Sequence, residues 1–397
     1  MSASSRSRDE HPDGHTQSGA PDRAYPIGHG QAGSRPCCLV TGEVTDYRRR
    51  PFALLAEAEG LEVLAFGQGD ERIGALTVRG TSQRGAARLA GSGRYRAVIC
   101  GLGGRVALPG SYRAARRAGI PFVLWASIWA HPRTPAHALS YLPTRRLYRR
   151  ADAVVTYGPH VSDHVAAARG RDNLFEAPQA VSAELFGRPI DPAARAQARA
   201  DAGVEESEPL LLFVGRLERE KGVRVLLEAF AQTGEGRLAV VGEGPLRGEV
   251  ERAGARVRAL GRVHREELPA LYAAADALVL PSIPTATFRE PWGLVANEAM
   301  LQTTPVIATD AVGAAAGGLV SHGRNGLVVP AGESAALAGA IGTLLGDPGL
   351  RERLGVAARA DVADFSEEAW ATGVSRALAA VGATRSASAS TLGACHQ

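Results

Sequence analysis

Short apolar runs alternate with helix-like segments along most of this 397-residue chain, and the alternation occurs in two series. In the first series the apolar runs lie at 37–41, 62–66, 97–100, 122–126 and 153–156, with helical patterns such as 50–59, 111–118 and 136–150 between them. In the second series they lie at 210–214, 238–241, 257–260, 277–280, 305–308 and 326–329. Strands that alternate with helices predict a doubly wound parallel sheet. The chain therefore predicts two similar α/β domains.

A polar, proline-containing stretch separates the two series. It holds Pro189, Pro192 and Pro209 around an alanine-rich helical pattern. We therefore predict a first domain at 36–186, a linker at 187–209 and a second domain at 210–365, followed by a helix at 366–382. The ends of the chain, 1–35 and 383–397, are rich in small and polar residues without periodicity, which predicts disorder. Two parallel sheets that face each other would form a cleft at the carboxyl ends of their strands.

The composition indicates where the protein is located but not what it does. Four cysteines, Cys37, Cys38, Cys100 and Cys395, show neither metal nor disulfide spacing, which favours a reducing cytoplasm. The sequence has no secretory signal pattern and no apolar run of about 18 residues, so we expect a cytoplasmic chain without a spanning helix. The net charge of +4 selects no partner.

Arginines cluster in the first half of the chain. They fit solvated helix faces or a surface that meets an anionic membrane, and the sequence leaves both open. The clusters comprise Arg48, Arg49 and Arg50; Arg113, Arg116 and Arg117; and Arg145, Arg146, Arg149 and Arg150.

Lys221 is the only lysine among 45 basic residues, and it lies in a loop after the apolar run 210–214. Gly215 permits a tight exit from that strand and a close backbone approach. Arg216 offers a planar fork and Lys221 a compact charge, and both suit phosphate oxygens. The loop therefore suits a diphosphate, while the alternative is that both cations pair with the nearby acids Glu218 and Glu220.

A second candidate loop, LPSIPTATFREPWGLVANEAM, carries two acids with seven residues between them, Glu290 and Glu298. Carboxylates accept hydrogen bonds from the paired hydroxyls of a sugar or a ribose. A predicted helix start between the acids exposes the backbone N–H groups of Gly293, Leu294 and Val295, which form an anion site. The alternative is a capping acid followed by an ordinary helix glutamate.

GRLEREKG followed by EPWGLVANEAM resembles the retaining family-4 glycosyltransferases, known as glycosyl transferases group 1, which have the GT-B fold. AVVGEGPLRGEVE, ALGRVHREELPALYAAADALVLPS and PVIATDAVGAAAGGLVSHGRNGLVVPAGESAALAGAI resemble further segments of that family in the same order, over nearly all of 210–365. The sequence departs from the family at Trp292, where Phe is commoner, and at 302–304, where small residues are commoner. The resemblance implies two Rossmann-like domains that face a cleft, with the helix at 366–382 crossing back to the first.

The resemblance also implies that the second domain binds a nucleotide-sugar donor, with UDP as the expected nucleotide. Arg216 and Lys221 would hold the diphosphate. Glu290 would contact the hydroxyls of the donor sugar, and Glu298 those of the ribose. The backbone would approach the donor at further positions: Gly215, Gly242, Gly244, Arg262, Val263, Gly293, Leu294 and Val295.

The first domain would bind the acceptor, which would be a saccharide, a lipid-linked sugar or a small molecule. His131, in FVLWASIWAHPRTP, is the candidate catalytic histidine beside the transferred sugar, because such enzymes often carry one in an equivalent loop. The alternative is a packing or capping histidine.

The predicted function is therefore retaining, metal-independent glycosyl transfer without a cofactor. No Asp-x-Asp motif is apparent in the donor half. The alternatives are a nucleotide-sugar epimerase on the same fold and a non-catalytic nucleotide-sugar-binding protein. A pyridoxal-phosphate phosphorylase is disfavoured because the only lysine lies in the diphosphate loop. We expect no nucleic-acid partner, because the sequence contains no nucleic-acid recognition motif.

Overall fold

The computed structural model describes residues 35–132 and 134–385, and it contains two separate sheets within them. The first sheet has eight strands in the order β3-β4-β2-β1-β5-β6-β7-β8. Its strands are β1 (Cys37–Thr41), β2 (Leu61–Ala65), β3 (Glu71–Ile73), β4 (Leu76–Gly80), β5 (Val98–Gly101), β6 (Phe122–Ala126), β7 (Ala153–Thr156) and β8 (Leu174–Glu176). Every pairing is parallel except that of β3 with β4, which form an antiparallel hairpin at one edge.

Helices cover both faces of the first sheet. The central strands are therefore buried on both sides, as β6 is along its whole length, and they read as continuous apolar runs. The helices are α1 (Asp46–Glu59), α2 (Gln83–Ala90), α3 (Ala107–Ala118), α4 (Pro135–Arg150) and α5 (Pro159–Arg169).

The second sheet has six parallel strands in the order β11-β10-β9-β12-β13-β14. They are β9 (Leu210–Val214), β10 (Arg237–Val241), β11 (Val257–Gly261), β12 (Ala277–Leu280), β13 (Val306–Thr309) and β14 (Gly326–Val329). Its chain order reverses between β9 and β12, which leaves a crevice at the carboxyl ends of these two strands.

Ten helices of the described residues belong to the linker region, the second sheet and the chain end. They are α6 (Ala183–Phe186), α7 (Pro192–Asp201), α8 (Val223–Ala231), α9 (Arg247–Glu251), α10 (Leu268–Ala274), α11 (Val295–Met300), α12 (Gly313–Ala316), α13 (Ser334–Gly346), α14 (Pro348–Asp361) and α15 (Glu367–Ala380). None of the helices in the described part of the chain is long and apolar enough to cross a membrane.

The predicted pair of doubly wound α/β sheets is confirmed. All eleven strands predicted from apolar runs are present, and their ends differ from the predicted ones by one residue at most. Three strands were missed: β3, β4 and β8. β3 and β8 have three residues each, too few to show an apolar period.

The last helix, α15, packs against the first sheet rather than the second. The ring of its Trp370 lies 5.2 Å from that of Phe52 on α1 and 5.6 Å from that of Trp125 on β6. Beyond the helix, the buried Ala383 accepts a hydrogen bond of 2.8 Å from Arg96 Nε at its carbonyl oxygen. Ala383 is thus ordered, although we predicted disorder from this residue onward. Arg35, Thr384 and Arg385 are described as well, and the N–H of Arg385 donates to Glu59 Oε2 at 3.0 Å. The rest of the predicted disorder, at 1–34 and 386–397, lies outside the described residues.

Candidate active site

Lys221 is held by the way its loop packs across the ends of three strands. After β9 the chain makes one turn of 3₁₀ helix, Arg219–Lys221, and Gly222 follows with a φ of 71°. A Cβ on Gly222 would lie 1.8 Å from the carbonyl oxygen of Pro281, just after β12, so only glycine permits this approach. The N–H of Ile283 donates to the Glu220 carbonyl at 2.9 Å. The loop is therefore fixed against the loop that carries Glu290.

Lys221 and Glu290, two predicted site residues 69 positions apart in sequence, form a direct ion pair. Lys221 Nζ donates to Glu290 Oε2 at 2.5 Å, and Ser282 Oγ donates to the same oxygen at 3.2 Å. The side chains are 20% and 8% exposed, respectively. The ammonium also lies 5.5 Å from the centre of the Phe288 ring. Removing either partner of an ion pair this shielded from water is costly, because it leaves the other charge without a counterpart.

Arg216 adopts the pairing that we gave as its alternative. It forms ion pairs with Glu218 and, at 3.6 Å, with Glu220, and its side chain is 57% exposed. A backbone hydrogen bond, helped by the charges of Arg216 and Lys221, lowers the pKa of Glu220. Because exposed ion pairs contribute little free energy, Arg216 can exchange these partners for an anion at small cost.

At the glycine turns after β9 and β10, the backbone rather than side chains lines the crevice. The N–H of Gly242 donates to the Gly261 carbonyl at 2.7 Å, which ties the ends of β10 and β11 together. A Cβ on Gly242, whose φ is 135°, would lie 1.8 Å from the carbonyl oxygen of Gly215. The ends of three neighbouring strands thus form a surface without side chains, which suits close approach of a ligand. Gly244 lies in the same turn. Two residues later, the N–H of Leu246 donates to the Leu217 carbonyl at 3.0 Å.

Glu298 faces a tyrosine. Tyr272 Oη donates to Glu298 Oε2 at 2.6 Å. Burial raises the pKa of Glu298 to about 7, although the Tyr272 hydrogen bond and the charge of Arg265 act in the opposite direction. Its second oxygen, Oε1, remains to accept from a ligand hydroxyl.

The other predicted donor contacts lie on the loops before α11 and after β11. Gly293 and Leu294 precede α11, which begins at Val295, and the Gly293 carbonyl accepts from the N–H of Ala296 at 2.9 Å. Arg262 and Val263 lie on the loop after β11, where Arg262 is exposed and Val263 packs partly against the core.

Replacing Glu298 by Gln is expected to change the pH dependence of stability. The native carboxyl, with its pKa of about 7, binds more protons than the unfolded one, whose pKa is near 4.5, so native stability falls as pH rises between these values. Relative to wild type, the Glu298→Gln variant should therefore gain up to about 3 kcal/mol in free energy of unfolding from pH 4.5 to 8. Urea unfolding at both pH values measures this gain.

The comparison must be between variant and wild type, because burial also raises the pKa of Glu367 to about 7. Glu367 therefore makes the free energy of unfolding depend on pH by the same amount in both proteins. A difference in free energy of unfolding that stays constant from pH 4.5 to 8 would contradict the raised pKa.

Two side chains of the first sheet's domain reach the backbone beside the ion pair. Trp129 Nε1 donates to the carbonyl oxygen of Glu290 at 3.0 Å. His160 Nε2 lies 3.2 Å from the carbonyl oxygen of Pro291. The Arg289 guanidinium lies 3.7 Å from the centre of the Trp129 ring. The two domains therefore meet directly at Glu290.

His131, the histidine that we predicted, lies two residues after Trp129, and its ring packs edge-on against Tyr141 of α4 at 5.0 Å. A second histidine, His160 at the start of α5, contacts the Glu290 loop. Burial lowers the pKa of His160, and the nearby charge of Arg289 lowers it further.

Sequence reasoning missed four residues that the structure adds to the site: Trp129, His160, Tyr272 and Ser282. Three of them could have been found, because Trp129, His160 and Ser282 each follow the carboxyl end of a strand, where ligands bind in parallel sheets. Tyr272 lies inside α10, so its position carries no such signal.

The site can therefore bind a diphosphate and a polyhydroxylated ligand side by side. It offers two cations, a carboxylate with further hydrogen-bonding capacity and a backbone surface. Within residues 35–132 and 134–385, no group of three or more His, Cys, Asp and Glu side chains is arranged to hold a metal ion.

Comparison with known proteins identifies the family. Residues 194–361 match the family described as glycosyl transferases group 1. A D-inositol 3-phosphate glycosyltransferase of Frankia alni is 34% identical over 309 residues, which cover 69% of this chain and 71% of that protein. The chain belongs to the glycosyl transferases group 1 family. An alpha-D-kanosaminyltransferase of Streptomyces kanamyceticus is 30% identical over 272 residues, which cover 61% of this chain.

The matches to other group 1 relatives are partial. The matched segment spans 66% of the kanosaminyltransferase and 42% of the D-inositol 3-phosphate glycosyltransferase of Nocardia farcinica, where the identity is 36% over 197 residues. The chain thus spans about two fifths to two thirds of the length of these curated relatives.

Solved structures of GT-B glycosyltransferases share this architecture over most of the chain. Anabaena HepE in complex with UDP superimposes with a TM-score of 0.70 at 22% identity, over 87% of this chain and 99% of HepE. Sucrose-phosphate synthase from Thermosynechococcus elongatus gives a TM-score of 0.72 at 22% identity, over 88% of this chain and 99% of that one. The predicted GT-B fold is confirmed.

Proposed function

We propose that this protein is a retaining family-4 glycosyltransferase that moves a sugar from a nucleotide-diphosphate sugar to a hydroxyl acceptor. The observation that carries the proposal is the Lys221–Glu290 ion pair, at the carboxyl ends of the second sheet's strands and in contact with the first domain. It is supported by the HepE structures, which contain UDP and UDP-glucose. UDP is therefore the nucleotide that we propose for the donor.

In the proposed reaction, the bond between the anomeric carbon and the diphosphate oxygen breaks as the acceptor oxygen bonds to that carbon from the same face. The acceptor's proton passes to the departing phosphate, so no strong protein base is required. Lys221 and Arg216 stabilise the negative charge that grows on the diphosphate, which is electrostatic catalysis. Glu290 accepts hydrogen bonds from the sugar hydroxyls and holds the anomeric carbon in place.

In this proposal, donor binding exchanges the partners of the ion pair. Lys221 already lies beside Glu290, so a diphosphate that attracts Lys221 leaves Glu290 free to accept the sugar hydroxyls. Each new partner replaces the one that is lost, and neither buried charge is left without a counterpart.

We propose that the reaction needs neither a metal ion nor a cofactor. In this proposal Lys221 and Arg216 neutralise the diphosphate, which is the task that a divalent ion would otherwise perform. Activity lost on treatment with EDTA and restored by Mn²⁺ would contradict this.

Isothermal titration of UDP, GDP, ADP and TDP without metal tests the function. We expect UDP to bind at least about tenfold more tightly than the others, since one base fits the site best. The UDP-sugars are then supplied with saccharide, lipid-linked and small polyol acceptors; the name of the Frankia alni relative includes such a polyol, D-inositol 3-phosphate. Binding of no nucleotide would refute the donor site. Isomerised donor without transfer would indicate an epimerase, and binding without either reaction a non-catalytic protein.

We further propose that α4 contacts the cytoplasmic leaflet of a membrane. Leu139 and Leu142 are 83% and 69% exposed, and the exposed Arg146 follows one turn later on the same face. An exposed apolar pair beside basic residues is typical of helices that bind anionic lipid surfaces.

Replacing Leu139 and Leu142 by Asp is expected to reduce co-sedimentation with phosphatidylserine vesicles at low salt by about tenfold or more, because both apolar burial and charge attraction are lost. Val356→Asp, at an exposed apolar position on α14 of the second domain, is the matched control and should bind as wild type does. Wild-type protein that fails to bind these vesicles would refute the membrane contact.

A further inference from the structure

Two consecutive carbonyl groups of the Glu290 loop, those of Glu290 and Pro291, are each contacted by a side chain of the first domain. Trp129 Nε1 donates to the first at 3.0 Å, and His160 Nε2 lies 3.2 Å from the second. Because a carbonyl oxygen only accepts, Nε2 of His160 carries the proton in this contact. Trp129 follows β6 and His160 follows β7, so the carboxyl ends of two neighbouring strands supply the pair.

Aromatic packing holds both side chains in place. The ring of His160 lies 5.1 Å from that of Trp129, edge to face, and 5.9 Å from that of Trp292. Arg289 stacks on the Trp129 ring. Trp292 and His160 are both buried, so the hydrogen bond to Pro291 is shielded from water and its loss leaves a carbonyl poorly satisfied.

The position of the Glu290 carboxylate depends on this backbone. The Glu290 carbonyl also accepts from the N–H of Gly313 at 3.1 Å, inside the second domain. The backbone of Glu290 is thus fixed from both domains, in the same residue whose carboxylate binds Lys221 and Ser282. A displacement of the backbone by about 1 Å at such a point can reduce a rate about 100-fold.

We propose that Trp129 and His160 are positioning residues: they hold the Glu290–Pro291 backbone so that the Glu290 carboxylate is aligned on the donor sugar only when the first domain is docked. The proposal rests on the proposed function for what Glu290 does, but not for the contact itself. It makes the acceptor domain part of the donor site. A donor bound while the domains are apart meets a misaligned Glu290, which limits its loss to water.

Variants of His160 test the hydrogen bond separately from the ring. His160→Phe keeps a ring between Trp129 and Trp292 and removes the donor, whereas His160→Gln restores an N–H donor near the position of Nε2. His164→Phe is the matched control: it lies on the same helix, burial lowers its pKa as well, and its ring packs on Tyr148 inside the first domain. Trp129→Phe removes the second donor and keeps an aromatic ring.

Backbone hydrogen exchange over 288–296, without nucleotide, is the first measurement, because it does not depend on activity. We expect about tenfold faster exchange in His160→Phe and in Trp129→Phe, little change in His164→Phe, and a return to within about threefold of wild type in His160→Gln. Exchange in His160→Phe that equals that of His164→Phe would overturn the proposal, and so would a failure of His160→Gln to restore protection.

Kinetics then test the effect on Glu290. We expect kcat to fall about tenfold in His160→Phe while KM for the donor changes less than about threefold, since the donor's nucleotide contacts are untouched. A rise in KM without a fall in kcat would overturn the positioning role. Wild-type protein that binds no nucleotide would refute the proposed function alone, because hydrogen exchange would still decide whether the interdomain contact exists.

Discussion

Lys221→Ala is expected to weaken the binding of UDP by about 10- to 100-fold and to lower the rate of transfer by a larger factor. A hydrogen bond to a charged group contributes about 1.5–3 kcal/mol, and a diphosphate would lose one such bond together with a full positive charge. The effect on transfer exceeds that on binding because negative charge grows on the diphosphate as the sugar leaves. Isothermal titration and initial rates measure the two losses.

The same substitution leaves Glu290 without its cation. That carboxylate is 8% exposed and would keep only the hydrogen bond from Ser282, so we expect a loss of about 3 kcal/mol in free energy of unfolding. The double variant Lys221→Ala/Glu290→Gln should recover most of that stability and none of the nucleotide affinity. Arg224→Ala is the control, since its ion pair with Glu249 is exposed and should contribute little to stability.

These outcomes separate a binding role of Lys221 from a structural one. If the double variant binds UDP as wild type does, the lysine only balances Glu290 and does not touch the diphosphate. If Lys221→Ala itself binds UDP as wild type does, the donor site lies elsewhere.

Glu290→Gln is expected to affect binding and transfer in opposite directions. The amide can accept a hydrogen bond from Lys221 but carries no charge, so the ammonium is held more weakly and UDP should bind as tightly as in wild type or up to about tenfold more tightly. Transfer should nevertheless fall by about 10²–10³-fold, because the amide accepts weaker hydrogen bonds from the sugar and carries no charge beside the anomeric centre. Titration with UDP and assays with a saturating donor measure the two effects.

Glu249→Gln serves as the control for Glu290→Gln, because Glu249 lies on α9 and pairs with Arg224 outside the site. Weaker UDP binding by Glu290→Gln would mean that the carboxylate holds Lys221 in its binding position. Unchanged transfer would remove Glu290 from the site.

The architecture could be predicted from the sequence, because strands buried on both faces of a parallel sheet are apolar runs of four or five residues. The prediction fails for β3 and β8, which are three residues long at or near sheet edges, where burial no longer constrains the side chains. The sequence also predicts that Lys221 and Glu290 share one cleft, and the structure brings them into contact. Lys221 and Glu290 each follow a strand and have the right chemistry, so both could be predicted for one cleft.

The sequence does not show which residues contact each other in the site. The predicted alternative for Lys221 was a neighbour in its own loop, Glu218 or Glu220, yet it pairs with Glu290, because Gly222 lets the loop pack against Pro281. His131 and His160 both follow strands of the first sheet. Only the packing of the two domains decides that His160 meets the Glu290 loop.

The return of α15 to the first sheet has a consequence for how this chain is made. Trp370, Val374 and Leu378 are buried in the core that β1, β2 and β6 begin to form more than 240 residues earlier. At about 5–20 residues per second, a ribosome needs roughly 10–40 seconds to add the chain between the first sheet and this helix. The second sheet is therefore expected to be the first complete folding unit, and the amino-terminal one to remain unfinished until synthesis is nearly over.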